Sequence, residues 1–379
     1  MARLPRDSAR LAGIDLARSV ALLGMMLAHL GPTWTGYDSP PLADWLAGGR
    51  AAPLFAVLAG LSVGLMVRLD PRGVGSDGAV LRRAVALLLI GLGLAALPEL
   101  TILVILPCYA LLVAATLLVR RLGTRALAVL AAAWCVLSPV ALFAVRHVVD
   151  APTSGVIQPS FAGGLGELPV SLLVWGGYPA ITWFGYVLVG LAIARLDLRD
   201  ARTVRRLVLG GALVLVATLW IGLTAVLLGA LEDMTGPVRA EQLFTPEGGV
   251  DPLDPAWFWV YGQHTSTPLN TVGTAASAVL VIGLCLWLCR STLAARVVRP
   301  LVSAGSMTLT LYVMHVVMTW ANRQHDASFT GGYYREWWAQ VLLLVTLAWL
   351  WRLLLARGPL EELVRRVSLL GRTRNRTRT

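Results

Sequence analysis

Apolar stretches of membrane-spanning length recur along the whole of this 379-residue chain. Roughly ten can be drawn, at 12–31, 51–69, 81–97, 99–119, 125–146, 178–195, 205–229, 268–289, 300–321 and 337–356, each near the ~20 residues that a bilayer core demands. In hydrocarbon every backbone N–H and C=O must be satisfied within the protein, so apolar segments of this length are read as helices. A mean hydropathy of +0.71 and a charged fraction of 14%, against about 25% in an average soluble domain, agree. The expected fold is an all-α integral membrane protein, a polytopic bundle of about ten transmembrane helices with both termini cytoplasmic. Residues 1–356 form one transmembrane domain and 357–379 a basic cytoplasmic tail, with 166–177 as a short interfacial helix.

The net charge of +11 does not make nucleic acid a partner. All 32 basic residues are arginine, and most fall in short loops between apolar runs, as topology signals do. With the N-terminus inside, 26 arginines lie on the cytoplasmic side and five outside (Arg50, Arg146, Arg239, Arg323 and Arg335). Arg18 alone is left within the membrane. The partner is therefore the lipid bilayer, and a multi-pass protein of the cell membrane is expected. Arg3, Arg6 and Arg10 precede an apolar stretch as in a secretory signal, but Asp15 and Arg18 interrupt it, so it reads as a retained first span. The four cysteines lack metal-ligand spacing and sit in apolar runs; Cys285 and Cys289 are helix neighbours that suit packing. No metal is expected.

The first span, AGIDLARSVALLGMMLAHL, carries Asp15, Arg18 and His29. Ionisable groups in a spanning helix are costly and tend to mark function. At 100° per residue, His29 lies about 20° from the Arg18 direction and about 40° from that of Asp15, so all three project from one side over roughly 21 Å of depth. His29 has the chemistry of a general base or an acyl-accepting nucleophile, or of a histidine bonded to a neighbouring helix. Arg18 keeps its charge and needs a partner or an anion, and Asp15 one turn earlier can supply the partner locally.

This first span resembles the first helix of the membrane-bound acyltransferase superfamily, which includes acyltransferase type 3 proteins and heparan-α-glucosaminide N-acetyltransferases. Arg18 and His29, with ten residues between them, match the type 3 spacing; Asp15-x-x-Arg18 matches the glucosaminide group. That second group has Gly where this chain has Ser19 and Asn where it has His29, and places its catalytic histidine in the following loop, which here holds none. A catalytic role for His29 thus follows the type 3 pattern. Gly49–Leu65, with its small-residue pair Gly60 and Gly64, is similar to the family's second helix, and Gly305–Val317 to a late helix of related bacterial families.

The resemblance implies acyl transfer across the membrane, from a cytoplasmic acyl-CoA such as acetyl-CoA to a hydroxyl or amine of an extracytoplasmic sugar or glycan. His29, Arg18 and Asp15 are then the catalytic candidates. Arg82, Arg83 and Arg68 are candidates for the CoA phosphates, which arginine recognises bidentately, although positive-inside bias also explains them. His315, His264, Asn270 and Trp183 are candidates for the acceptor side; packing of His315 with Tyr312 or Thr319, capping by Ser266 or Thr267, and an aromatic belt are the structural alternatives. Glu99, after Pro98, could orient an outer-face histidine or be solvated. Asp251 and Asp254 read as turn formers beside Pro252 and Pro255. There is no P-loop, Gly-x-Gly-x-x-Gly, His-Glu-x-x-His or Gly-x-Ser-x-Gly motif. A transporter or flippase on the same polar path, or a family member without catalysis, are the other readings.

Overall fold

The computed structural model describes residues 11–32, 47–150, 164–229, 255–262, 264–325 and 334–370. Asp251, Asp254 and the arginines from Arg372 onward lie outside them. Among the described residues all regular structure is helical. The helices are α1 (Ala12–Leu30), α2 (Ala51–Leu69), α3 (Asp77–Ala95), α4 (Leu106–Val119), α5 (Thr124–Arg146), α6 (Gly164–Val170), α7 (Ala180–Ile193), α8 (Ala201–Leu227), α9 (Pro268–Leu288), α10 (Thr292–Val297), α11 (Arg299–Gly305), α12 (Thr308–His325), α13 (Tyr334–Leu354) and α14 (Pro359–Ser368).

Seven of these, α1, α2, α3, α5, α8, α9 and α13, are long and apolar enough to cross a bilayer, and two bent pairs raise the number to as many as nine. Three of the stretches drawn from the sequence differ in form. The fourth, 99–119, contains the 14-residue α4, because Pro98, the positive φ of Glu99 and Pro107 keep 100–105 out of the helix. The sixth, 178–195, holds the 14-residue α7, which is joined at 59° to the helical segment Gly166–Trp175. The ninth, 300–321, is broken: α11 and α12 meet at 83°.

The bundle is built around α1, which packs against α2, α9, α11, α12 and α13. Burial sets the centre and the rim. In α1 and α9, 61% of the spanning window is buried; in α8 and α13 it is 22%. The open face of α8 carries Leu209, Leu213, Trp220 and Ile221, as a lipid-facing helix does. Helices in lipid gain little from the hydrophobic effect against one another, so they rely on close backbone approach at small residues. At the α2–α7 crossing a Cβ on Gly60 would strike the Val187 carbonyl, and one on Gly190 the Val57 carbonyl. Gly64 faces the Ala194 methyl in the same seam.

The close α2–α7 crossing makes a direct prediction. Gly60→Ala places a methyl on backbone and should cost about 1–3 kcal/mol or more, read as a lower unfolding temperature of the detergent-solubilised protein. Gly93→Ala, where a Cβ meets nothing within 4 Å, should leave that temperature unchanged or raise it. Equal effects at the two positions would refute the close crossing.

Candidate functional site

Arg18 is held from two sides. Its Nη1 donates to Asp15 Oδ1 at 2.7 Å, and its Nη2 donates to Ser62 Oγ on α2 at 2.6 Å. Ser62 in turn donates to the Leu58 carbonyl at 2.6 Å, so its lone pairs are turned to the guanidinium. The Asp15 side chain is 3% exposed and that of Arg18 25% exposed. The pair satisfies each charge within the bundle, and Arg18 keeps an open side.

That open side faces a cavity of about 210 Å³ lined by Arg18, Ser62, Arg83, Tyr109, Tyr312 and Glu361, among others. Sites for drug-sized ligands run to roughly 300–1,000 Å³, so this space is smaller than such a site. The lining reaches Met25 on α1, and His29, one turn further along, is not part of it. A second cavity, about 240 Å³, is lined by Asp15, Arg299, Ser303, Ser306, Trp349 and Arg352, with Ala12, Val302 and Leu353. Asp15 borders this cavity, Arg18 borders the first, and Ser306 borders both, so the ion pair and the α11–α12 turn partition the two.

The turn has a specific cause. Gly305 lies against the Asp15 carbonyl with no room for a Cβ, and Ser19 Oγ donates to the Leu301 carbonyl. The exposed N–H groups at the start of α12 are capped from α14. Glu361 Oε1 accepts from the Leu309 and Thr310 N–H groups at 2.7 and 3.1 Å, and Oε2 accepts from Thr310 Oγ1 at 2.6 Å. A carboxylate at a helix N-terminus meets both the orphan donors and the dipole. Non-helical backbone at membrane depth is tolerated where it lines a cavity or is buried in protein, and Gly305, Ser306, Thr308 and Leu309 all line the first cavity.

At the opposite end of α1, His29 Nδ1 lies 3.0 Å from His315 Nε2 on α12. The two rings are coplanar within 1°, centroids 5.3 Å apart, which is the geometry of an in-plane hydrogen bond. His315 is fully buried, and its Nδ1 lies 2.8 Å from Gln340 Oε1 on α13. Gln340 Nε2 donates to Thr319 Oγ1 at 3.3 Å. Trp337, one turn before Gln340, donates to the Leu23 carbonyl at 3.1 Å and ties α13 to α1 beside this chain of contacts.

The other sequence-expected residues are placed as follows. Arg83 lines the first cavity. Arg82 donates from Nε and Nη2 to the Ser368 carbonyl at 3.1 and 2.9 Å, capping the end of α14. Arg68 donates to the carbonyls of Ala194 and Leu196 beyond α7, both at 3.2 Å. His264 has a φ of 54° and meets the Tyr178 ring edge-on at 5.6 Å; it lies within electrostatic reach of His29. Asn270 Nδ2 donates to the Gly262 carbonyl at 2.8 Å, while Thr267 Oγ1 caps α9 by accepting from the Asn270 N–H. Trp183 is buried between Tyr178 and Tyr186, at centroid distances of 4.9 and 5.2 Å. Glu99 Oε2 accepts from Gln324 at 3.4 Å. Ser62, Gln340 and Glu361 escaped the sequence reading, although Gln340 is a solitary amide in an apolar span and such residues bridge helices.

The family described as "Heparan-alpha-glucosaminide N-acetyltransferase, catalytic" matches residues 10–227, more than half of the chain. The chain belongs to this heparan-alpha-glucosaminide N-acetyltransferase catalytic family. A second family, "Protein of unknown function (DUF418)", matches residues 253–371. No curated protein matches the chain. The family match points to acetyltransferase-like activity in a membrane protein. Asp15, Arg18, His29 and Arg83 fall in the first matched region; His315, Gln340 and Glu361 fall in the second. The His29–His315 hydrogen bond therefore joins the two.

A double-mutant cycle tests the ion pair. Asp15→Asn should cost about 3 kcal/mol, the lower end of the range for breaking a buried pair because Arg18 keeps a quarter of its surface open. Asp15→Asn with Arg18→Gln should cost less than the two single changes added. Simple additivity in chemical unfolding would show that the pair does not interact.

Proposed function

We propose that this protein is an integral-membrane acyltransferase. It passes an acyl group, acetyl on the family match, from acyl-CoA on the cytoplasmic side to a hydroxyl or amine of an extracytoplasmic sugar or glycan. The observation that carries this reading is the pairing of His29, on α1, with His315, while the other end of α1 places Arg18 at a largely apolar cavity that also holds Arg83 and Glu361. One helix thus holds an anion-binding cation and a hydrogen-bonded imidazole about 16 Å apart along its axis, from eleven residues at 1.5 Å each. The 26-to-5 arginine asymmetry supports the Arg83 end as cytoplasmic, and with it both termini.

In this reading the acyl-pantetheine arm of the donor enters beside Arg83 and Arg18, whose guanidinium groups complement phosphate and thioester oxygens. Arg82 and Arg68, engaged at helix ends, contribute to the charge of that face rather than by direct contact. To reach His29, which lies outside the cavity lining, the arm has to displace Met25, an unbranched and adaptable side chain of that lining one turn before it. His29 takes the proton from the acceptor hydroxyl or amine as the acceptor atom bonds to the acyl carbon. The C–S bond breaks, and the CoA thiolate leaves and recovers a proton from the imidazolium. If the acyl group first rests on His29 the kinetics are ping-pong instead. His264, near His29, and the ordered turn around Asn270 lie on the acceptor side.

Purified protein in detergent or nanodiscs, given acetyl-CoA and an amino sugar, should release CoA thiol and acetylated sugar. His29→Ala should lower the rate by about 10²–10⁴-fold, the usual worth of a positioned acid–base. An unchanged rate would remove His29 from the mechanism. Movement of the sugar across the bilayer without covalent change would favour transport.

A further inference from the structure

We infer that Gln340 is a positioning residue that sets the tautomer of His29 through His315, leaving Nε2 of His29 as the bare, proton-accepting nitrogen. This inference rests on the acyl-transfer reading for its consequence, and on hydrogen-bond geometry alone for its assignment.

The assignment runs inward from the amide. Gln340 Oε1 is turned to His315 Nδ1, at 2.8 Å, and Gln340 Nε2 to Thr319 Oγ1. An amide oxygen can only accept, so His315 Nδ1 carries hydrogen. In a neutral imidazole the other nitrogen is then bare, and His315 Nε2 accepts from His29 Nδ1 across 3.0 Å. His29 Nδ1 therefore carries hydrogen and His29 Nε2 has the lone pair. No described residue bonds to His29 Nε2, and His29 is only partly buried, whereas His315, Gln340 and Thr319 are buried. The buried partners spend every nitrogen that faces inward and leave one facing out.

The arrangement has the logic of a catalytic triad, in which the group behind a histidine holds its tautomer and steadies the charge that forms. Here a second imidazole and an amide replace the carboxylate. When His29 Nε2 takes the acceptor's proton, the Nδ1 hydrogen lies in a bond to His315 Nε2, so the positive charge is shared across two coplanar rings. Gln340 stays neutral; it receives no proton and only accepts from His315 Nδ1.

The test is ¹⁵N NMR of the full-length protein labelled at histidine, with His29 and His315 assigned from single substitutions, alongside acetyl-CoA turnover. Both histidines should show the Nδ1–H form in the wild type. Gln340→Glu keeps an acceptor toward His315 and should preserve both that signature and turnover. Gln340→Leu should remove the fixed tautomer of His29 and lower kcat by about 10- to 100-fold, the loss found when the outer partner of a metal-bound histidine is deleted, with KM for acetyl-CoA unchanged. His29 in the Nε2–H form in the wild type, or tautomers changed by Gln340→Glu, would overturn the inference. If Gln340→Leu does not fold, those two measurements decide it. The Nδ1–H signature with no thioester turnover under any condition would count against the acyl-transfer reading alone.

Discussion

A guanidinium in a membrane bundle has to be solvated by the protein, and the groups that solvate Arg18 determine what surrounds it. Its charge cannot be shed, and burial in hydrocarbon without a partner is prohibitive. Asp15 supplies the countercharge from one turn below, and Ser62 supplies an oxygen from α2. These contacts fix the α1–α2 register at that depth. They also leave N–H groups of a five-donor side chain for the cavity that Arg18 lines. The Asp15 backbone is enlisted as well: its carbonyl lies directly against Gly305, where α11 gives way to α12. The ion pair, the close contact and the broken helix form one continuous construction.

The broken helix shows what a linear reading can and cannot see. Hydropathy finds 300–321 as one apolar run because the small polar residues around Gly305, Ser303, Ser306 and Thr308, are outweighed by Leu301, Val302 and the apolar residues from Leu309 to Val317. The bend depends on Glu361, about fifty residues later, whose carboxylate caps the N–H groups of Leu309 and Thr310. Nothing local to the run signals that partner. The same limit applies to the arginines. Arg68, Arg82 and Arg83 look alike in the sequence, each basic and close to an apolar segment. Arg68 and Arg82 reach carbonyls at the ends of α7 and α14, and Arg83 turns to the cavity. Orientation around the helix axis, set by packing, separates them.

Other features were legible because the physics is local. The ionisable residues of α1 are placed on one side by helical spacing alone, and Asp15 and Arg18 meet as neighbours three apart on a helix do. The pair Gly60 and Gly64 marks a close crossing because only small residues let backbones touch. His29 required a partner outside its own helix, and the partner is His315, 286 positions away. No spacing rule reaches that far. It takes the bundle to bring α12 and α13 beside the C-terminal end of α1.

The two ends of the site are mechanically joined by α12. Its first turn, Thr308 and Leu309, lines the cavity and is anchored by Glu361, while His315 lies seven residues on, about 10 Å further along the axis. A hydrogen bond at 3.0 Å weakens steeply once the donor and acceptor separate beyond normal range. The histidine pair is thus seated, through α12, on the α11–α12 turn, whose Gly305 lies against the Asp15 carbonyl. Arg18 and His29 look like separate features of α1, spaced along one face. Through Gly305 and α12 they belong to a closed loop of contacts that runs from the Asp15 backbone along α12 to His315 and back to His29.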